Sequence, residues 1–372
     1  MKLLEAHVIQ TVAPSNLNRD DTGSPKDALF GGYRRSRISS QAQKRAVRVA
    51  FKAWPLLSDA ERAVRTRRLV DELSKRLSGA PPEQARLAVE NALNALGFRV
   101  REGRTEYLLF LGNRELDRLA GLIKAHFNKL TATETKGKKN AKVDEELKDA
   151  LEKVLDGGKA VDVALFGRML ADRPELAKDA ACQVAHAIST HRVDREFDFY
   201  TAVDDLSPKE EAGAGMMGDV EFYSATLYRY AVVNLDKLVE NLQGDKELAV
   251  KGALAFLEAF VLTLPSGKQN SFAAHNPPLF VAFQAGVGLP RNLATAFERP
   301  IWPQDGKALS EISVEALVEE WARFDRVYGP LQHEAKGAVN LTPARIEGLE
   351  VLKDLSALNR RVEDALKALL EV

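Results

Sequence analysis

The chain has 372 residues, 45% hydrophobic and 28% charged, the make-up of a globular protein with one large or two medium domains. Its 53 basic residues are balanced by 53 acids, which excludes indiscriminate coating of DNA but leaves room for a local positive groove. No apolar run approaches the roughly 20 residues of a membrane span, the first residues lack a signal-peptide shape, and the single Cys182 excludes an internal disulfide or a cysteine metal cluster; a reducing cytoplasm is the expected setting.

Leu3 to Val12 reads as a first, central strand. After it come Asn16-Leu17-Asn18-Arg19-Asp20-Asp21, then Lys26-Asp27, then a run from Phe30 to Gln41. From Ala28 to Ser58 there is no acid, yet Arg34, Arg35, Arg37, Lys44, Arg45, Arg48 and Lys52 are present. A one-sign block in a neutral chain suits a polyanion, most simply a nucleic-acid backbone. Ser39 or Ser40 can cap a helix here, with Gln43 three beyond Ser40 as a capping box wants. At about 100° per residue, Gln41, Lys44, Arg45, Arg48 and Lys52 share one side, and Ala42, Ala46, Val47, Val49, Ala50 and Ala53 the other. The two serines and their free amides form a natural phosphate seat. The alternative is a solvated cationic face, but such faces usually mix signs.

The segment from about Ser58 to Ala187 reads as helical: Asp59 to Ser78, Pro82 to Leu96, Asn113 to Lys129 and Asp144 to Leu155. Thr131 to Lys142, with Lys136, Lys138, Lys139 and Lys142, reads as a polar loop. By pattern alone, Phe166-Gly167-Arg168-Met169 reads as an ordinary helix start with a core methionine. Alternation predicts strands over His191 to Val203, Val220 to Val233 and Leu279 to Ala285. Asp204 to Gly218 is too long for a tight turn and reads as an exposed excursion with Tyr200, Thr201, Val203, Met216 and Met217 at its bases. Such apolar groups can wedge beside nucleic acid or plug a core. Ser266 to Ser271 is a polar loop whose amides and Lys268 suit phosphate oxygens. Helices follow at Lys246 to Leu262, Val314 to Tyr328 and Pro343 to Leu370. The whole can be laid onto a βαββαβ core with a long helical insertion, an α+β fold.

Chemistry is sparse. Asp20-Asp21 and Asp204-Asp205 could hold a divalent metal, but acids in a basic loop more often cap or pair. His7, His126, His186, His191, His275 and His333 show no metal-ligand spacing. No catalytic residue, metal or cofactor is expected.

The run from Asn16 to Gln41, read with Asp198 to Asp205 and Leu264 to Phe272, resembles the CasC-type backbone subunit of Cascade, the type I-E CRISPR surveillance complex of the RAMP superfamily. The segments occur in the same order, and the resemblance spans nearly the whole chain. It implies an RRM/ferredoxin-like palm in 1–57 and 188–372, a helical fingers insertion over 58–187 and a protruding thumb hairpin at about 200–222. It also implies a non-catalytic subunit that assembles head to tail along CRISPR RNA. Phosphates would be gripped by Arg19, Lys26, Ser39, Gln41, Lys44, Arg48 and Arg168, with Lys268 beside them. Met169 would touch a base, and Tyr200 and Thr201 would pack where a nucleotide is displaced; Met217, at the opposite base, is either a wedge against the RNA or a core plug. The implied partners are the guide, target DNA by way of the guide, further copies and other Cascade subunits, with no membrane. Relatives in type III complexes cut RNA with a loop aspartate, so a metal-dependent ribonuclease on the same fold is the rival; a protein-only scaffold is another.

Overall fold

The computed structural model describes residues 1–132, 144–170, 173–202 and 216–372. The chain begins with β1 (Lys2–Ser15), the hairpin β2 (Asp27–Phe30) and β3 (Tyr33–Ile38), and helix α1 (Ser40–Ala53). Next come β4 (Ala63–Thr66), α2 (Leu69–Arg76), α3 (Pro82–Ala95), β5 (Val100–Arg101), β6 (Arg104–Thr105) and β7 (Leu109–Gly112). Helices α4 (Asn113–Ala125), α5 (Phe127–Thr131), α6 (Glu145–Lys153) and α7 (Val161–Phe166) follow. Then come β8 (Cys182–Val184), β9 (Ala187–Ser189), β10 (Glu196–Ala202) and β11 (Met216–Asn234). The last part holds α8 (Leu235–Asn241), α9 (Lys246–Leu262), α10 (Gln269–Phe272), β12 (Phe280–Val287), α11 (Leu309–Tyr328), β13 (Gln332–Asn340), β14 (Glu350–Val351) and α12 (Leu355–Leu370).

Two compact units result: Met1–Ala50 with Gln183–Asn234 and Ala253–Val372, and Phe51–Cys182 with Leu235–Gly252. The second unit thus reclaims α8 and the start of α9, which follow the two long strands in sequence. The Asn241 side-chain amide donates to the Ala164 and Asp179 carbonyls at 3.0 and 2.8 Å, and Gly252 lies so close to Val161 that a Cβ there would come within 2.8 Å of it.

The first unit is built on a sheet ordered β14-β13-β12-β1-β11-β9-β3-β2, antiparallel except for the β13–β14 pair. Within it, β12-β1-β11-β9 is the order of a ferredoxin-like core, with α1 after the first strand and α9 before the last, so the fold is α+β. Strand β1 is central and buried on both faces from Leu3 to Gln10, which explains its near-continuous apolar run. One face joins Tyr228, Tyr230, Phe280, Phe297, Leu317 and Trp321 in a core. In the second unit, leucines and alanines of α2, α3, α4 and α6 form a separate core, flanked by the small pairs β4–β7 and β5–β6.

Several expected elements come out differently. Asp59 to Ser78 is not one helix; β4 interrupts it and pairs with β7. The strand expected from His191 starts only at Glu196, because the His191 ring is held by the Thr226 amide at 3.1 Å and Ser189 Oγ donates to its carbonyl. The helix expected from Pro343 starts at Leu355, where the Asp354 side chain accepts from the Ala357 amide at 2.7 Å. Before it, the Asn340 side chain ties Thr342 into a turn. Strand β13 was not foreseen, its alanines and glycine giving no strand signal. The lysine loop at Lys136 to Lys142 lies outside the described residues, as do Val203 and the excursion's middle, 204–215.

Candidate nucleic-acid interface

Helix α1 is capped by Ser39, whose Oγ accepts from the Ala42 amide at 3.2 Å while its own amide donates to Asn18 Oδ1 at 2.8 Å. Ser39 is therefore a buried cap, its hydroxyl oxygen engaged by the helix. The capping box is absent too: Gln43 turns inward, donating to the Ala185 carbonyl at 2.9 Å and accepting from Arg229 Nε at 3.3 Å. The helix buries Gln43, Val47, Ala50 and Phe51; of the side expected inward, Val47 and Ala50 are buried, Ala42 and Ala46 half-buried, and Val49 is 55% exposed. Gln41 and Arg45 lie open on the opposite side, with Lys44 and Arg48 half-buried on the flank.

The cationic run ahead of α1 divides in the same way. Arg35 is fully buried, its guanidinium donating to the carbonyls of Ser189, Thr190, Phe297 and Glu298. Burial pulls its pKa below the usual arginine value. Arg34 pairs with Asp27, which also accepts from Arg195 at 2.9 Å and Tyr223 at 3.1 Å. Arg37 donates to the Asp27 carbonyl and meets His186 Nδ1 at 2.9 Å. Burial, with Arg37 and Lys26 nearby, pushes the His186 pKa down.

Asp20 folds the loop ahead of β2. Its Oδ1 accepts from the Thr22 hydroxyl at 2.7 Å and from the Thr22 and Ser24 amides at 2.9 and 3.0 Å, and the hydroxyl bond leads in lowering its pKa. It acts as a cap. Among the described residues, no group of His, Cys, Asp or Glu could hold a metal ion. The loop carries Arg19 outward and Lys26 at its end, half-buried.

Asn16-Leu17-Asn18 joins the pieces. Asn16 Nδ2 donates to the Glu221 carbonyl at the base of the β10–β11 ribbon, at 2.9 Å. The Leu17 carbonyl lies so near Gly267 that a Cβ there would stand 2.3 Å from it. Asn18 holds Ser39. Three separate sequence motifs thereby meet in the first unit: the Arg19–Lys26 loop, the start of α1 and the loop of Lys268, which adopts a left-handed φ of 52°. The sequence reading quoted Asn16 and Asn18 but gave them no role; polar residues beside a cationic loop were the available signal. It also missed Arg229. This buried guanidinium donates to Gln10 Oε1 at 2.7 Å, to Gln43, and to the carbonyls of Phe260, Val261 and Thr263 at the end of α9. Cations are favoured at a helix C-terminus.

The ribbon pairs Tyr200 with Gly218 and Thr201 with Met217. Every residue of β10 is exposed, Phe197 and Phe199 to 63% and 67%, and Met217, across from Thr201, to 66%. Tyr200 and Met217 therefore project from the first unit and do not plug its core. The ring of Tyr200 covers Gly218, where any Cβ would collide with it.

Arg168 needs correction as a phosphate contact. It lies in the second unit, fully buried, with Nη1 2.9 Å from Glu115 Oε1 and Nη2 donating to the Leu155 carbonyl. Glu115 in turn accepts from the Gly112 and Gly157 amides. Met169, next to it, is 88% exposed.

No match emerges among curated proteins. Among solved structures, one chain of a "CRISPR RNA-guided surveillance complex, pre-nicking" is 33% identical at a TM-score of 0.87, with 98% of this chain and 100% of that chain covered. A chain of a "CRISPR RNA-guided surveillance complex" is 28% identical at a TM-score of 0.74, covering 98% and 99%. Across residues 4–363 the sequence fits the model of the CT1975-like proteins, and with that coverage the chain belongs to this family.

Proposed function

We propose that the chain is a non-catalytic CRISPR-RNA-binding subunit of a Cascade-type complex, of the CasC backbone kind, whose copies assemble head to tail along one guide. The observation that carries this reading is the near-full-length likeness, at 33% identity, to a chain of an RNA-guided surveillance complex. The geometry of the first unit supports it. Arg19, Lys26, Lys44, Arg48 and Lys268 are cations on three motifs tied together through Asn16 to Asn18. Lysine and arginine on phosphate grip any sequence, as a carrier of arbitrary guides must. A head-to-tail contact that does not close generates a helical filament. Tyr200, Thr201 and Met217 on the exposed ribbon offer surfaces for a displaced nucleotide.

The test is co-expression with a synthetic CRISPR RNA and its companion subunits. RNA should be retained as a stoichiometric component, read from the ratio of absorbance at about 260 and 280 nm, and several copies should be present per guide by native mass spectrometry. A nuclease-treated preparation that assembles identically without RNA would overturn the reading. Incubation with single-stranded target RNA and magnesium should leave that RNA intact; evenly spaced cuts lost on Asp20→Asn would support the ribonuclease instead.

A further inference from the structure

The second unit carries a cationic surface that the guide-binding reading does not use. Strands β5 and β6 form a two-residue hairpin whose turn, Glu102-Gly103, is left-handed at both positions. Val100 and Thr105 face inward, and Arg101 stands directly across from Arg104. Like charges facing each other across strands oppose folding. Both side chains are exposed, and among the described residues neither has a carboxylate within 4.0 Å.

More guanidinium surrounds them. Arg67 Nε donates to the Thr105 carbonyl at 3.0 Å, and Thr105 returns its amide to the Arg67 carbonyl at 2.9 Å. Arg86 of α3 lies over the turn, so close that a Cβ on Gly103 would stand 2.1 Å from its Nη2. Arg99 extends the hairpin's outer face. The nearby acids do not balance this charge. Glu106 and Asp71 meet Arg99 and Arg86 only at 3.8 Å, and Glu102 sits in the turn. Arg68 precedes α2, at the helix end where a cation is least favoured. Five guanidiniums on one hairpin and its two neighbours, with two facing each other unpaired, form a surface whose self-repulsion an external row of phosphates would relieve.

We infer that the outer face of the β5–β6 hairpin, with Arg67 and Arg86, is a second phosphate-binding surface for nucleic-acid backbone, separate from the α1 face. The inference depends on the proposed function only in taking nucleic acid as the polyanion. Its ligand is a phosphodiester backbone, supplied by duplex DNA or by the guide strand.

The test compares the assembled complex with one carrying Arg101→Gln and Arg104→Gln, both exposed substitutions that leave the unit's core intact. One arm measures binding of a labelled DNA duplex matching the guide across a salt series; the other measures the affinity for labelled guide RNA across the same series. If DNA supplies the phosphates, guide affinity is unchanged, duplex affinity falls roughly tenfold at low salt, and the slope of log affinity against log salt shrinks by about two. If the guide supplies them, the loss appears in the RNA arm with the same change of slope. Glu106→Gln, which removes a competing carboxylate, should shift the affected arm the opposite way. Unchanged affinity and slope in both arms would overturn the inference, as would loss of a protein subunit with both affinities intact. Should the wild-type preparation hold no RNA, the proposed function fails on its own terms, and the duplex arm still decides this surface.

Discussion

Arg35 and Arg45 belong to the same acid-free stretch, yet the first is fully buried and the second exposed. The buried one is a strut. Its fixed fork of donors ties β3 to the carbonyls of Ser189, Thr190, Phe297 and Glu298, with no carboxylate needed. The exposed one is a free-standing charge of the kind that recruits phosphate. Arg229 repeats the strut below α1, while Lys44 and Arg48 stand half-buried on the helix's flank. A run of basic residues is thus two populations, a rigid internal frame and a surface it presents. Only the second should respond to salt.

Removing a strut should give the largest effect. Arg229→Met would leave the side chains of Gln10 and Gln43 and the carbonyls of Phe260, Val261 and Thr263 without their donor. Buried acceptors left unpaired cost about 1–3 kcal/mol each before relaxation. A net loss of at least about 4 kcal/mol is expected in urea unfolding of the isolated chain. A loss below about 1 kcal/mol would mean that the methionine packs as well as the guanidinium, and the division into frame and surface would fail.

A buried charge with the opposite fate sharpens the contrast. Glu5 is fully buried on β1, accepting from the Tyr230 hydroxyl and the Arg291 amide, and burial raises its pKa from 4.5 to about 7 against both bonds. Its neighbour His7 is held neutral by burial, its pKa lowered to about 3. Between pH 4.5 and about 7 the folded state keeps the Glu5 proton that the unfolded chain releases. This contribution is therefore complete below the unfolded value, fades as pH climbs through the folded one, and is gone above it. The window corresponds to about 3 kcal/mol. Glu5→Gln, which mimics the protonated form, should flatten that part of the pH–stability curve and be relatively most stable above neutrality. Equal slopes for both proteins would show that Glu5 ionises freely in the fold.

The alternation of frame and surface was only partly legible. The central strand and α9 could be read because periodicity is a local signal. The side of each cation could not. Arg34, Arg35 and Arg37 lie on a strand whose two faces meet different neighbours, and those neighbours, at 189–190 and 297–298, are far away in sequence. Arg168 misled for the same reason: its partner Glu115 comes from α4, far away in sequence, and an arginine after a glycine carries no mark of burial. The phase of α1 was misread because Gln43, polar by composition, is bound inside by Arg229, which rotates the buried stripe away from Val49.

The surface population should fail in binding, not in folding. Lys44→Glu with Arg48→Glu is expected to weaken guide binding roughly 10- to 30-fold at low salt and to lower the salt slope by about two. Titration of labelled guide across a salt series measures both. Full affinity at physiological salt would remove α1 from the interface.

The smallest effect is the most discriminating. Arg45→Gln deletes a charge from the same segment as Arg35, but on the open side of α1, where no ion pair holds it among the described residues. Exposed substitutions without a buried partner stay within about 0.5 kcal/mol, and a glutamine keeps a comparable helix propensity. Unfolding midpoint and slope should therefore be unchanged. If Arg45 shares the phosphate track with Lys44 and Arg48, the salt slope of guide binding drops by about one. If it points past the track, the slope stays put while the other two substitutions still lower it. Because folding is silent in both cases, the slope alone reports how wide the track is across the helix, and it does so at a position where strut and surface cannot be confused.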